Sequence, residues 1–235
     1  MQTIIFDVDD TLYDQLQSFR NAVYQQLSTS FTESEIGPLY KASRKYSDEV
    51  FEPYMNGEIT VLELQTYRIT KACEDFGIKL SYEQAVRFQE VYLAEQRNIQ
   101  LLEPMRQLLE QLCEQDKQLA VLTNGEFNHQ MMKVKQLQLT NWIPAEHIFV
   151  SGDIGHSKPS IEVFEHIERK LHLNKQKTLY IGDSFENDIY GAKRAGWKTV
   201  WMNHRKRNVP QQDIKPDYIV ERPDDILTIA SEWQN

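Results

Sequence analysis

The sequence predicts an α/β fold with a parallel sheet and an inserted bundle of helices. Three observations lead to this prediction. Short apolar runs occur at the start and throughout the second half of the chain, helical patterns separate them, and residues 15–98 contain helical patterns alone. Apolar residues make up 40% of the 235 residues, which is enough to build a buried core.

Six short segments have the composition expected of buried β-strands. They are rich in Val, Ile, Leu and aromatic residues and are almost continuously apolar, which is typical of a parallel sheet covered on both faces. The segments are 3–8, 119–122, 147–150, 178–181, 199–202 and 218–220.

Helices are predicted between these strands. One is indicated by apolar residues at the i, i+3, i+4, i+7 and i+8 positions, namely Met105, Leu108, Leu109, Leu112 and Cys113. A second covers 161–171 with Ser160 as its N-cap, and a third covers 186–195 with Gly196 as its C-terminal cap. The last helix is expected over 224–233. Alternating strands and helices predict right-handed crossover connections.

Residues 15–98 follow the first strand and contain no strand-like run. We predict about four helices there, because Thr60 with Glu63 and Ser81 with Gln84 have the spacing of capping boxes. Pro38 and Pro53 are interpreted as further helix breaks or starts. We therefore expect residues 1–14 and 99–235 to form an α/β core, and residues 15–98 to form a helical insertion.

The composition also argues against several classes of partner. The formal net charge of −9 disfavours a nucleic-acid partner, and no polybasic tract is present for an anionic membrane. No apolar run approaches the roughly 20 residues of a membrane span, and we expect no signal peptide. Cys73 and Cys113 are predicted to be reduced thiols of a cytoplasmic protein. Residues 205–207, Arg-Lys-Arg, are predicted to be a solvated loop.

Polar residues that can carry chemistry follow four of the predicted strands. Ligands of open α/β sheets bind beyond the carboxyl ends of the strands, so these residues should share one edge. The segments are Asp7-Val8-Asp9-Asp10-Thr11, Thr123-Asn124-Gly125, Ser157-Lys158-Pro159 and Gly182-Asp183-Ser184, with Asp188 five residues after Asp183.

The acidic residues at this edge predict a cation site. Two carboxylates about 4 Å apart repel each other by roughly 4 kcal/mol at an effective dielectric constant of 20. Asp7, Asp9 and Asp183 would therefore hold either protons or a cation. A set of oxygen ligands without Cys or His favours Mg²⁺ over zinc or copper.

These segments resemble a known family. FDVDDTLYD, VLTNG, SKP and GDSFENDIYGA resemble, in order, the four motifs of the haloacid dehalogenase-like hydrolase superfamily. The resemblance implies a Rossmann-like parallel sheet, and the helical insertion resembles that family's α-helical cap. The position after Asp9 is often glycine in the family and is Asp10 here, although many members carry aspartate.

The resemblance implies a role for each acidic residue of the first and fourth motifs. Asp7 would be the nucleophile that forms an aspartyl-phosphate, and Asp9 would be the general acid and base. Mg²⁺ would be held by the side chains of Asp7 and Asp183 and by the backbone carbonyl of Asp9.

The remaining motif residues are implied to bind phosphate or to orient other groups. Thr123 and the backbone amides of Asn124 and Gly125 would bind the phosphate. Lys158 would also bind the phosphate, and it would stabilise the negative charge of the nucleophile and of the phosphoryl group. Thr123 and Lys158 are therefore predicted to be catalytic as well as phosphate-binding residues. Asp188 would orient Lys158 or a metal-bound water.

The function implied is hydrolysis of a small phosphomonoester. True dehalogenases of the family lack the second carboxylate of the first motif, whereas Asp9 is present here. The Leu-Tyr-Asp segment over 12–14 resembles members that act on nucleoside 5'-monophosphates, and phosphoglycolate is the next candidate. Two alternatives stay open, a phosphosugar mutase and a non-catalytic protein that binds a metabolite. Monomer and homodimer are both compatible with the sequence.

Overall fold

The chain folds into two structural units. The computed structural model describes residues 1–27, 30–210 and 213–234. One unit comprises Met1–Asp14 and Gln100–Asn235, and the other comprises Gln15–Ile99.

The first unit is built on a six-stranded sheet. The strands, β1 to β6, are Thr3–Phe6, Gln118–Thr123, Ile148–Val150, Thr178–Gly182, Lys198–Met202 and Tyr218–Val220. All neighbouring strands are parallel, and their order is β3-β2-β1-β4-β5-β6. The predicted α/β class and all six predicted strands are confirmed, although β1 ends at Phe6 rather than at residue 8.

The strand order places a switch point beside β1. Ile5 in β1 pairs with Ala120 of β2 on one side and with Tyr180 of β4 on the other. The chain builds β2 and β3 outward in one direction, then β4, β5 and β6 in the other. Parallel sheets with this order bind ligands at the carboxyl ends of the two strands where the direction reverses. Asp7 and Asp183 follow those two strands.

The helices surround this sheet or belong to the second unit. Within the described residues, α1 to α11 are Gln15–Leu27, Glu33–Glu49, Phe51–Met55, Val61–Asp75, Tyr82–Glu95, Glu103–Glu114, Phe127–Gln136, Ser151–Ile154, Ile161–Leu171, Gly191–Ala195 and Asp225–Ala230. Short 3₁₀ turns are Gln96–Asn98, Leu139–Asn141, Ala145–His147, Lys175–Lys177 and Ser231–Gln234. No helix in these ranges is both long enough and apolar enough to cross a bilayer.

Two helix ends in the α/β unit differ from the prediction. The helix expected over 186–195 begins instead as a wide π-helical turn, Phe185–Tyr190, which continues into α10. Gly196 ends it with a φ of 86°, as predicted. Ser160 occupies the N-cap position of α9, but its hydroxyl donates to Glu162 and caps no backbone amide.

Aromatic packing holds the side chain of Tyr180, a residue of β4 that contacts the candidate active site. Phe164 of α9 contacts Trp197 edge-on, with ring centroids 5.3 Å apart. Phe164 also contacts Tyr180 of β4 edge-on, at 6.1 Å. All three rings are buried, so the Tyr180 ring has a single well-packed position.

The helical unit has its own core. Phe19 of α1 meets Tyr40, Phe88 and Tyr92 edge-on at centroid distances of 5.4, 5.4 and 5.7 Å. Edge-on aromatic pairs of this kind add to the free energy that burial alone supplies. These contacts join α1, α2 and α5 into one bundle.

The ends of the helices in this unit follow the predicted signals only in part. The capping boxes at Thr60 and Ser81 are confirmed, and Thr32 begins α2 with a third. Pro38 lies inside α2, so its interpretation as a helix break or start is wrong. A short extra helix, α3, contains Pro53 in its first turn, where proline is tolerated.

The two connections to the helical segment are tied together in the α/β unit. The backbone N–H of Leu102, just before α6, donates to the backbone carbonyl of Leu12 at 2.9 Å. The chain therefore leaves the α/β unit and re-enters it at adjacent points.

Candidate active site

Lys158 joins two aspartates that are distant in sequence. Its ammonium nitrogen lies 2.7 Å from Oδ1 of Asp7 and 2.7 Å from Oδ1 of Asp188. All three side chains are buried, and charge-assisted hydrogen bonds are strongest where water is excluded. The first, third and fourth motifs therefore meet at one point.

Tyr180 completes the surroundings of this ammonium group. Lys158 donates to the Tyr180 hydroxyl at 2.8 Å, and that hydroxyl donates to the backbone carbonyl of Leu122 at 2.8 Å. Burial acts to lower the pKa of Lys158, but the carboxylates of Asp188 and Asp7 outweigh it and raise this pKa well above its ordinary value. Lys158 is therefore a fixed positive charge at the site.

Three carboxylates form an acidic cluster at the switch point. Asp7, Asp183 and Asp188 each offer one carboxylate oxygen, and these oxygens lie within 4.8 Å of one another. Burial, with the negative charges of Asp188 and Asp9, raises the pKa of Asp7 to about 7 against the opposing effect of Lys158. Burial likewise raises the pKa of Asp183 well above its ordinary value. An all-oxygen cluster of this kind fits a hard divalent cation such as Mg²⁺.

Asp188 is held in one orientation by its neighbours. Its Oδ2 accepts the backbone N–H of Ser184 at 2.9 Å, while Oδ1 faces Lys158. A Cβ at residue 182 would lie 2.3 Å from this Oδ2, so glycine is required there by close approach. Both oxygens of Asp188 are thus already engaged, which suits a residue that orients Lys158.

Asp9 has a separate set of partners. The ammonium of Lys133 lies 2.7 Å from each oxygen of the Asp9 carboxylate, and the Gln130 amide donates to Oδ2 at 3.1 Å. The hydroxyl of Tyr13 donates to Oδ1. The carboxylates of Asp7 and Asp9 therefore occupy different electrostatic surroundings although they are two residues apart.

Lys133 and Gln130 were not identified from the sequence, although a signal exists. Gln130, Lys133, Val134 and Leu137 have the i, i+3, i+4, i+7 spacing of a helix face that packs inward, and all four are buried. Two polar residues on such a face need partners, which Asp9 supplies.

The predicted phosphate-binding segment lies beside these groups. The Thr123 hydroxyl donates to Oε1 of Gln130 at 3.2 Å. The Asn124 side chain donates to the carbonyl of Lys158 and accepts its N–H, both at 2.9 Å, so it holds the Lys158 backbone. The Gly125 N–H donates to Ser151 Oγ at 3.0 Å. The structure thus brings the predicted site residues of the four motifs to one edge of the sheet, while their roles toward phosphate stay predictions.

The loop after β5 corrects one prediction. Arg205 and Arg207 were expected in a solvated loop, but Arg205 donates to Asp10 at 2.7 Å and also to Asp14. Arg207 lies 2.8 Å from the Asp183 carboxylate and donates to the Asp183 carbonyl at 2.9 Å. Buried carboxylates beneath the loop need positive charge, which explains why the two arginines turn inward.

Asp10 stands where the family often has glycine, and its geometry explains why. Its φ is 58°, in the left-handed region that favours glycine but admits aspartate. Its side chain is 2% exposed and is bound through both oxygens by Arg205. Burial acts to raise the pKa of Asp10, but His204, whose Nε2 lies 3.8 Å away, and the hydrogen bonds and charge of Arg205 lower it far below its ordinary value.

Proteins similar to this chain include several phosphatases. A glyceraldehyde 3-phosphate phosphatase from Methanopyrus kandleri is 28% identical over 99% of this chain and 98% of its own. The pyrimidine 5'-nucleotidase YjjG from Escherichia coli is 26% identical over 92% of both chains. The crystal structure of YfnB from Bacillus subtilis, determined bound to magnesium, matches with a TM-score of 0.71 at 26% identity, covering 97% of both chains.

The family resemblance is confirmed over most of the chain. The sequence profile of the haloacid dehalogenase-like hydrolases matches residues 4–202. That range includes all four motifs, the strands β2 to β5, and all of β1 except its first residue. The chain belongs to the haloacid dehalogenase-like hydrolase family.

Proposed function

We propose that this chain is a Mg²⁺-dependent phosphatase that hydrolyses a small phosphomonoester through an aspartyl-phosphate on Asp7. The observation that carries the proposal is the position of Asp7, whose carboxylate is bound by Lys158 within a cluster that also contains Asp183. The predicted enzyme class, phosphoric monoester hydrolase, is confirmed by the family and by the phosphatases among its relatives.

The first half of the proposed reaction transfers the phosphoryl group to the protein. A carboxylate oxygen of Asp7 attacks phosphorus, and the bond between phosphorus and the ester oxygen breaks. Asp9 gives its proton to that departing oxygen, so that the alcohol leaves neutral. Lys158 stabilises the negative charge on Asp7 and on the phosphoryl oxygens.

The second half releases phosphate. Asp9, now a carboxylate, accepts a proton from water as the water oxygen attacks phosphorus. The bond between phosphorus and Asp7 breaks, which regenerates the carboxylate and frees inorganic phosphate. The side chains of Asp7 and Asp183 with the backbone carbonyl of Asp9 would hold Mg²⁺. When bound, this ion neutralises phosphoryl oxygens as their charge redistributes.

The proposed substrates are phosphate esters of primary alcohols. Nucleoside 5'-monophosphates and phosphoglycolate, the two candidates from the sequence, both belong to this class. Support comes from the relatives, which are named for glyceraldehyde 3-phosphate and for pyrimidine 5'-nucleotides. The departing group is then a strongly basic alkoxide, for which protonation by Asp9 matters most.

Phosphate release from UMP, phosphoglycolate and p-nitrophenyl phosphate, with Mg²⁺ and with EDTA, tests the proposal. We expect release that depends on Mg²⁺ and that Asp7→Asn abolishes. The control is Asp225→Asn, which changes an exposed aspartate at the start of α11 and should retain activity. Full activity of Asp7→Asn, or undiminished activity in EDTA, would contradict the proposed phosphatase mechanism.

A further inference from the structure

The hydroxyl group of Tyr180 is a polar group in a central strand of the sheet. Tyr180 lies in β4, which pairs with β1 on one side and with β5 on the other, and its side chain is fully buried. Central strands of a parallel sheet are covered on both faces and are ordinarily apolar. A phenylalanine at residue 180 would fill the same space without a polar atom to satisfy, so the hydroxyl needs an explanation other than packing.

The partners of this hydroxyl determine the direction of its hydrogen bonds. It donates to the backbone carbonyl of Leu122 at 2.8 Å, because a carbonyl oxygen can only accept. It accepts from the Lys158 ammonium at 2.8 Å, because an ammonium group can only donate. Oδ1 of Asp188 is farther away, at 3.4 Å. The hydroxyl therefore presents a lone pair to Lys158, while its single proton is engaged by Leu122.

Lys158 depends on fixed partners because its own side chain is flexible. A lysine carries three N–H donors at the end of a long stem that can take many conformations. The nearest acceptors are carboxylate oxygens of Asp7 and Asp188, each at 2.7 Å, and the Tyr180 hydroxyl at 2.8 Å. The carbonyl of Leu122 lies farther away, at 3.2 Å. Each N–H donor thus has a close partner, and the three partners together define the position of the ammonium nitrogen.

The ring of Tyr180 is held rigidly by its neighbours. Phe164 and Trp197 pack against it, with ring centroids 6.1 and 6.3 Å away, and all three rings are buried. A ring in a close-packed core has few conformations open to it, in contrast to the stem of a lysine. The rigid hydroxyl therefore fixes the flexible ammonium group, and this ammonium in turn lies 2.7 Å from Oδ1 of Asp7.

We propose that Tyr180 is a positioning residue, whose hydroxyl holds the Lys158 ammonium against the carboxylate of Asp7. This inference rests on the proposed phosphatase function, in which Asp7 attacks phosphorus and Lys158 stabilises the negative charge of the nucleophile and of the phosphoryl group. Without the hydroxyl, the ammonium can shift toward the carbonyl of Leu122, and its position relative to Asp7 is less well defined. Misplacement of a reacting group by about 1 Å can lower a rate about a hundredfold.

The proposal predicts the same loss of activity for every substrate. Lys158 acts on the nucleophile and on the phosphoryl group, which all phosphate esters share. Tyr180→Phe keeps the ring and removes one oxygen atom, so the displacement of Lys158 should be smaller than about 1 Å. We expect kcat/KM to fall by about tenfold, and by the same factor for UMP and for p-nitrophenyl phosphate. Tyr218→Phe, the same change in β6, is the matched control and should leave kcat/KM unchanged.

Inhibition constants distinguish positioning from damage to the fold. Orthovanadate can adopt the trigonal-bipyramidal geometry of the transition state, whereas inorganic phosphate resembles the product. A group that acts in the transition state therefore affects the binding of orthovanadate more. We expect Tyr180→Phe to raise the inhibition constant of orthovanadate about tenfold and that of phosphate by less than about twofold. Partial unfolding would lower kcat by reducing the amount of active protein, and it would leave both inhibition constants unchanged.

The outcomes separate this inference from the proposed function. An unchanged kcat/KM in Tyr180→Phe, a loss confined to one ester, an unchanged inhibition constant of orthovanadate, or equal weakening of both inhibitors would overturn the positioning role and leave the phosphatase intact. Absence of phosphate release by the wild type from every ester would instead overturn the phosphatase, and the positioning role with it. If circular dichroism shows that Tyr180→Phe does not fold, Tyr180→Met takes its place with the same expected results.

Discussion

The carboxylate of Asp188 fills the space in which any residue larger than glycine at position 182 would place its Cβ. The separation would be 2.3 Å, far inside van der Waals contact. We expect Gly182→Ala to displace Asp188 from Lys158, to lower the free energy of unfolding by roughly 2 kcal/mol, and to lower kcat. Urea denaturation and phosphate release measure the two effects.

A second glycine supplies the control for this substitution. Gly37 lies within α2, directly before Pro38, and a Cβ there would meet no atom within 4 Å apart from its chain neighbours. Gly37→Ala should change the free energy of unfolding by less than about 1 kcal/mol, because the conformational entropy that alanine saves in a helix is offset by the contact of its Cβ with the Pro38 ring. Equal effects of the two substitutions would show that Asp188 can move aside without cost.

The ion pair between Asp10 and Arg205 should be strongly coupled. Arg205→Met leaves a buried carboxylate without its main partner, and we expect a loss of about 3 kcal/mol in the free energy of unfolding. Asp10→Gly with Arg205→Met removes both charges and relieves a residue with a φ of 58°. The double variant should therefore be more stable than Arg205→Met alone, as judged by urea denaturation. Additive losses would contradict this coupling.

Arg207 should influence how much Mg²⁺ the protein needs. Its guanidinium lies 2.8 Å from Oδ2 of Asp183, a proposed metal ligand, and thus supplies positive charge where a cation would bind. Arg207→Gln should lower the Mg²⁺ concentration for half-maximal activity by about threefold, as expected for a partly exposed ion pair. Lys206→Gln, an exposed neighbour, should leave it unchanged. A higher requirement in Arg207→Gln would mean that the arginine helps to hold Asp183 for the metal.

Cys73 should make stability decrease in alkaline solution. Burial raises the pKa of its thiol to about 12, whereas an unfolded cysteine has a pKa of about 8.5. Between these values only the unfolded chain loses the proton, so the free energy of unfolding falls as pH rises, by up to about 1.4 kcal/mol per pH unit.

The comparison with Cys73→Ala isolates this effect from other groups that titrate at high pH. Urea denaturation at pH 8 and pH 10 should show a larger loss for the wild type than for the variant. An equal loss in both proteins would mean that the thiol ionises in the folded state as readily as in the unfolded one.

The parts of the fold that follow from local pattern could be predicted. The strands are continuous apolar runs, and Gly196 and the capping boxes at Thr60 and Ser81 mark helix ends through their own backbone requirements. Pro38 could not be placed in this way. It lies in the sixth position of α2, where Ile36 and Leu39 are buried and tertiary packing outweighs the local cost of proline.

The motif residues of the site could also be predicted, but their supporting side chains could not. Tyr180 lies in an apolar strand and has the pattern of a core residue, and only the structure reveals that its hydroxyl meets Lys158. Arg205 and Arg207 lie in a loop without periodicity, so nothing in the local sequence indicates the buried carboxylates that they contact. Contacts between residues nearly 200 positions apart are absent from any local pattern.

The hydrogen bond between Leu102 and Leu12 has an evolutionary consequence. This hydrogen bond fixes both ends of the inserted segment to one another within the α/β unit. The length and sequence of the insertion can therefore change during evolution while the register of the strands stays the same. Recombination at these two points could exchange one lineage's helices for another's. A new substrate specificity could then arise by exchange of the inserted helices, while the carboxylates of the candidate active site stay unchanged.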